Sequence, residues 1–390
     1  MRCGHERHPP WRTGSTSDDV SGARGQPHLA FDLIHRVWLD LGHHVDYVQN
    51  ITDVDDPLLE RAARDHQDWR ALAARETALF REDMSFLRIL PPRHHVGAVE
   101  AMARIIDMIA DLVAAGVAYR DDRSPHPDVY FDVDAGGPLG VVSGYETSVM
   151  LRLAAQGDGE SRHPGRRRVL DPVIWRAHRD GEPAWESALG PGRPGWHVQC
   201  SAIARHFLGD RIDLAGGGRD LVFPHHDCSA AHVEALSGAR PFAACWTHTG
   251  MVGLEGEKMS KSRGHLVLVS SLRDRGVDAG AVRLALLDGH YRSDREWTEE
   301  RLRRAQRRLH RWRSAITRPS GPPATELTAV VRSRLADDLD TPGALAAVDG
   351  WADAALGGGN EDESAPGEVR ALADGLLGVA LQEAGVPSRA

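Results

Sequence analysis

No stretch of eighteen apolar residues occurs in the 390-residue sequence, so it offers no candidate membrane-spanning helix. The opening MRCGHERHPPWRTGSTSDDV has no apolar core of the kind a secretory signal carries, and the cytoplasm is the expected location. Cysteine is scarce as well. Cys3, Cys200, Cys228 and Cys245 are too few and too scattered for a disulfide framework, which leaves metal binding or plain burial. Positive charge is outnumbered, 47 Lys and Arg against 56 Asp and Glu, and a net charge of -9 argues against a broad nucleic-acid surface. Core material is ample. With 41% hydrophobic and 26% charged residues, the composition is that of an ordinary globular chain of roughly two or three domains.

Strand and helix patterns alternate along the chain. LAFDLIHRVWLDLG (29–42) has apolar residues at helical spacing and stops at Gly42; HVDYVQNIT (44–52) then reads as a strand. Helix, glycine and strand in succession suggest a βαβ unit of a parallel sheet. Helical patterns follow over about 56–89 and 97–115. Residues 121–168, rich in Gly, Pro, Asp and Arg, read as an insertion with little regular structure beyond DVYFDV (128–133). RIDLAGGGRDLVFPHH (211–226) and ACWTHTGMVGL (244–254) resume the sheet. GVDAGAVRLALLDGH and TEERLRRAQRRLHRWRSAI are helical, SGPP (320–323) marks a linker, and GGGNEDESAPG (357–367) a mobile loop. The expected division is an N-terminal segment (1–28), an α/β domain (29–270) carrying the insertion, a helical domain (271–319) and a C-terminal helical region (320–390).

Three groups of residues bear chemistry. EGEKMSKSRG (255–264) sets Lys258 and Lys261 three apart in a short polar run. Such a run is commonly a solvated turn, but two ammonium groups on an adaptable loop can also close over a triphosphate and follow the charge of departing pyrophosphate. AGGGRDL (215–221) places three glycines between a strand and an aspartate, which lets a flat base or a ribose approach the backbone. Alone this is also an ordinary loop, and it is not the G-x-G-x-x-G fingerprint. FPHHD (223–227) follows GWHVQCS, and Cys200 with His225 offers the sulfur and imidazole that zinc prefers. A buried cysteine beside a hydrogen-bonded histidine is the competing reading.

Taken in order, YVQNITDVDDPLLERA, GRPGWHVQCSAIA, GGGRDLVFPHH, HTGMVGLEGEKMSKSRG and RLALLDGHYRSDREWT resemble the class I aminoacyl-tRNA synthetases, in their cysteine-activating branch, and within it the mycothiol-pathway cysteine ligases. The resemblance covers about residues 29–355. It implies an α/β fold: a Rossmann-type class I catalytic domain with a parallel sheet, followed by a C-terminal α-helical domain. It also implies a reaction in which ATP and L-cysteine form a cysteinyl adenylate and the amine of glucosaminyl-inositol then takes the acyl group. By the resemblance Lys258 and Lys261 stabilise phosphates, and Asn50, Ile51, Thr52, Gly218, Arg219, Asp220 and Val252 bind the adenylate, with Arg219 standing where the family has serine. Trp196 adjoins the substrate cysteine. Cys200 and His225 hold Zn2+, which selects a thiol over serine's hydroxyl, and Mg2+ accompanies ATP. Ser229 replaces the carboxylate that tRNA-charging members carry four residues after the histidine. The implied partners are therefore small molecules rather than tRNA or membrane, and the protein a monomer.

The N-terminal segment departs from the family. Its members open with a Cys-Gly-Ile-Thr zinc segment and a His-x-Gly-His motif for the transition-state phosphate. Here an ungapped alignment puts Arg12 at the cysteine and Ser21 and Arg24 at the histidines. A gapped one puts Thr13 at the cysteine and keeps Gly14, Thr16 and Asp19. Cys3 and His28 lie out of register for the missing groups. A misread frame, a decayed copy or a changed use each account for this, and impaired activity is the expectation.

Overall fold

The protein is seen in a computed structural model that describes residues 11–15, 25–156, 165–254, 257–258, 267–358 and 361–382. Its first elements are β1 (Trp11–Ser15), α1 (Gly25–Asp40), β2 (Val45–Ile51), α2 (Asp56–Arg64), α3 (Trp69–Phe86), β3 (His94–Gly97) and α4 (Met102–Ala114). Then come β4 (Ala118–Arg120), β5 (Val129–Phe131), α5 (Val133–Gly136), α6 (Thr147–Gln156), β6 (Val173–Ala177) and β7 (Gly192–Pro194). The chain returns through α7 (Trp196–Leu208), β8 (Ile212–Gly218), α8 (Asp227–Ser237) and β9 (Ala243–Thr249) to a small sheet of β10 (Val252–Leu254), β11 (Glu257–Lys258) and β12 (Arg295–Glu296). Helices α9 (Val269–Asp274) and α10 (Ala279–Leu287) precede β12, and α11 (Glu299–Ile316), α12 (Ala324–Ala336), α13 (Thr341–Leu356) and α14 (Ala365–Leu377) complete the described chain.

The main sheet has the order β3-β2-β1-β8-β9, and every pair in it is parallel. Gly42, at φ +82°, ends the α1 turn where a side chain would be strained, and it releases the chain into β2. Alternate residues of β2 then serve two faces: Val45 and Tyr47 pack with Phe31 of α1, whereas Val48 joins the core formed with α4, α7 and α8. Trp11–Ser15 lies in the middle of this sheet, so a stretch set apart from the α/β domain in the sequence supplies its central strand.

Three other expectations shift. The helical run 56–89 is two helices, because Asp68 accepts hydrogen bonds from Arg70 N (2.7 Å) and Ala71 N (3.0 Å) and so caps a fresh start. The insertion is more regular than its composition suggests. It holds α5 and α6, and its β5 strand pairs with β4 before it and β6 after it in an antiparallel sheet β4-β5-β6-β7 that runs on to Pro194. The SGPP linker is pinned: Gly321 N donates to Asp362 O (2.9 Å) and Trp351 Nε1 to Pro322 O (2.8 Å). Trp312 of α11, Val331 of α12, Val348 of α13 and Leu372 of α14 share one core with Leu29 and Leu33 of α1, so residue 320 is no break in packing.

A buried ionic hub joins these parts. Arg283 of α10 pairs with Asp32 of α1 and donates to Leu87 O (2.8 Å) and Leu377 O; Arg36 bonds the same carboxylate (2.8 Å) and reaches Asp374 O (2.9 Å) and Arg88 O (2.6 Å). Leu90 N donates to the other Asp32 oxygen at 2.8 Å. Helix α1, the end of α3, α10 and α14 thus meet on one carboxylate.

Candidate active site

In open parallel sheets, ligands bind outside the carboxyl ends of the strands where the strand order reverses. Here those ends are Ser15, Ile51, Gly97, Gly218 and Thr249. Asn50, Ile51 and Thr52 stand at the end of β2 and are all buried; Gly218, Arg219 and Asp220 stand at the end of β8. Two hydroxyls at this edge, Thr52 Oγ1 and Thr249 Oγ1, are buried without a partner among the described residues. Leaving such groups unpaired costs about 1–3 kcal/mol each, a cost that a polar ligand at this edge would relieve. Gly216 is obligatory: a Cβ there would lie 1.9 Å from Thr247 O of the adjacent strand.

The other predicted residues cluster on the same side. Trp196 opens α7, and its ring centroid is 4.5 Å from that of His225, which sits in the kinked turn Val222–His226 leading into α8. Cys200, one turn further along α7, lines a cavity of about 30 Å³ with Asn50, Gly216, His226, Ser229 and Trp246. Val252 lies on β10, where Gly253 pairs in register with Lys258. Lys261, Ser21, Arg24 and Cys3 fall outside the described residues. Arg219 pairs with Asp294 (2.9 Å) and donates to Arg292 O (2.7 Å), linking the end of β8 to the loop before β12. His28 is a packing residue, bonded through Nδ1 to Gln49 Nε2 (3.0 Å) and set edge-on to Phe80. Cys228 is buried as expected, but Cys245 is exposed because β9 is an edge strand. The arginines of α11 are committed to carboxylates, with Arg308 on Asp288 (2.9 Å) and Asp349 (3.0 Å), and Arg313 on Asp278 (2.7 Å).

Imidazoles dominate the floor. His197 Nδ1 lies 2.9 Å from His225 Nδ1, and His226 Nδ1 lies 2.7 Å from His248 Nε2. Burial pushes His197 and His248 down to about 4 and His232 to about 3, and holds His225 and His226 well below the ordinary value of 6.5. Neutral imidazoles are thus built into the fold. A depressed folded-state pKa means that the unfolded chain takes up protons first as the pH drops. This stability is complete above about pH 6.5 and is lost as pH falls toward about 4, at up to about 1.4 kcal/mol per pH unit for each independent histidine. Urea midpoints measured at pH 7.5, 6 and 5 are expected to fall steadily; equal midpoints would refute the account.

Zinc requires a donor count as well as donor types. Cys200 is buried, and His225 Nε2 is buried with no partner among the described residues, so two suitable donors are present. A closed zinc site takes four. Among the described residues no group of three His, Cys, Asp or Glu is placed to hold a metal, and Ser229 occupies the carboxylate position. The described residues match zinc in type and not in number.

A parallel sheet of this order, with Asn50, Ile51, Thr52, Gly218, Arg219 and Asp220 at its carboxyl edge, defines an open α/β domain. Residues 13–307 match the family described as tRNA synthetases class I (C) catalytic domain, and the chain belongs to that family. It is 58% identical over 357 residues to the L-cysteine:1D-myo-inositol 2-amino-2-deoxy-alpha-D-glucopyranoside ligase of Saccharomonospora viridis, covering 91% of this chain and 86% of that protein. The ligase of the same name from Rhodococcus erythropolis is 54% identical over 355 residues, again covering 91% and 86%. Among solved structures, methionyl-tRNA synthetase of Mycobacterium tuberculosis with methionyl-adenylate shares the fold at a TM-score of 0.65 and 16% identity, over 90% of this chain and 82% of that one.

Proposed function

We propose that this chain joins L-cysteine to the amine of glucosaminyl-inositol using ATP. The cysteine carboxylate attacks the α-phosphorus and pyrophosphate leaves; the amine then attacks the acyl carbon, the C–N bond forms and AMP departs. The observation that carries this reading is the 58% identity, across 91% of the chain, to ligases so named. Convergence of the motif residues on one sheet edge supports it. In this reading Asn50, Ile51, Thr52, Gly218, Asp220 and Val252 seat the adenylate and Trp196 adjoins the aminoacyl group. Lys258 and Lys261, the two lysines of the entire sequence, follow the phosphates, with Mg2+ as the counter-ion of ATP. Every other cationic side chain that is permanently charged is an arginine.

The test is cysteine-dependent ATP–pyrophosphate exchange with serine as control, followed by addition of glucosaminyl-inositol, with zinc measured on the same sample. Exchange with cysteine and an amide product are expected, with zinc well below one ion per chain and discrimination against serine correspondingly weak. Transfer to tRNA instead of the amino sugar would replace this reading with that of a synthetase. Stoichiometric zinc would place further donors outside the described residues.

A further inference from the structure

We infer that a second pocket, beside the α7 N-terminus and separate from the Cys200 cavity, receives the reacting amine end of a polyhydroxylated amine acceptor. This rests on the ligase reading above. The pocket is lined by Asp55 and Asp56 at the start of α2, Arg176 of β6, Arg193 of β7, and Trp196 and Gln199 of α7. It thus lies where the antiparallel sheet of the insertion meets the carboxyl edge of the main sheet. Gln199 and Cys200 are adjacent on a helix, where successive side chains point about 100° apart, and each lines a different cavity. Trp196 belongs to the new pocket, and its ring centroid lies 4.5 Å from that of His225.

Gln199 marks the pocket as a ligand site. The residue is 2% exposed, and its Nε2 donates to Val54 O (3.2 Å) and Pro194 O (3.5 Å). Two carbonyl neighbours fix which end of the amide is the nitrogen. Its Oε1 is left buried with no donor among the described residues. Arg176 Nε is likewise buried without an acceptor. The pocket therefore presents an unmet acceptor and an unmet donor together, which suits an amine next to a hydroxyl.

The rim is rigid and close to neutral. Arg176 pairs with Asp56 (3.1 Å) and Glu182 (3.3 Å), and Arg193 with Glu182 (2.9 Å) and Asp56. The cavity of about 20 Å³ admits a group the size of one water molecule, so it takes the amine and leaves the rings outside. In the transfer step an amine N–H donates to Gln199 Oε1 while the lone pair forms the C–N bond. The bond from acyl carbon to the AMP oxygen breaks, and the nitrogen's surplus proton passes to solvent.

The experiment is calorimetric titration of the full chain with glucosaminyl-inositol and, separately, with a non-hydrolysable cysteinyl-adenylate analogue, for the natural sequence, Gln199→Leu and Gln199→Glu. Leucine is expected to weaken acceptor binding at least about tenfold, the loss that follows from removing a buried hydrogen bond. Glutamate keeps an acceptor atom in place and is expected to stay within about threefold. Gln199→Met replaces the leucine variant if that one does not fold. Unchanged acceptor binding in the apolar variant overturns the inference, as does an equal loss for the adenylate analogue, which would signal a structural role. Binding of the analogue without any binding of glucosaminyl-inositol by the natural sequence would overturn the ligase reading itself.

Discussion

Arg283→Ala is expected to lower the unfolding free energy by about 3–5 kcal/mol, the usual cost of stranding one partner of a buried ion pair. Burial alone would raise the Asp32 carboxyl, but the charges of Arg283 and Arg36 and the Leu90 N–H outweigh it and hold the group below its ordinary value. Removing Arg283 leaves Asp32 with Arg36 as its one paired cation beside the Leu90 N–H, and takes the donors from Leu87 O and Leu377 O, both met by this side chain. The measurement is the urea midpoint at constant m-value. Combining Arg283→Met and Asp32→Leu with Arg36→Met should recover much of the loss, because no charge is then left buried and unpaired, whereas the double variant alone would strand Arg36. A loss under about 1 kcal/mol for the single alanine variant would mean that the hub is not a joint between α1 and the helical region.

The second large effect concerns catalysis. Replacing the segment ahead of Leu29 by one that carries an intact Cys-Gly-Ile-Thr and His-x-Gly-His is expected to raise cysteine-dependent pyrophosphate exchange by about 10² to 10⁴-fold. One preorganised transition-state donor is worth about 10²–10³ in rate, and two histidines are restored. The graft also places a thiol on β1, in the strand whose Ser15 is in register with Gly216 of the Cys200 cavity. Zinc content should rise together with activity. Unchanged exchange would locate the defect in the body of the protein and count against the ligase reading.

Much of this architecture was legible because it is local. Gly42 announced the end of α1, β2 alternates between two buried faces, and the glycine run followed by aspartate fell at a strand end. The signals that went unread were also local in part: Asp65, His66 and Asp68 interrupt the 56–89 run, and Asp68 is a good capping residue. The pairing of Arg219 with Asp294, by contrast, joins residues far apart in the chain, and no period or motif encodes it. Gln199 was passed over for a related reason. Its neighbour Cys200 carried recognisable chemistry, whereas an amide becomes informative only when its surroundings show one end satisfied and the other not.

The position of β1 bears on how the chain is made. Thr13 pairs with Tyr47 on one side and with Leu214 on the other, about 200 residues later in the sequence. At roughly 5–20 residues per second, the second neighbour leaves the ribosome on the order of 10–40 s after the first strand. During that interval one side of the central strand has no sheet partner, and long-range closure of this kind is slow even for a complete chain. Nascent protein is therefore most exposed to wrongful strand pairing along the open side of β1 before Gly218 is synthesised.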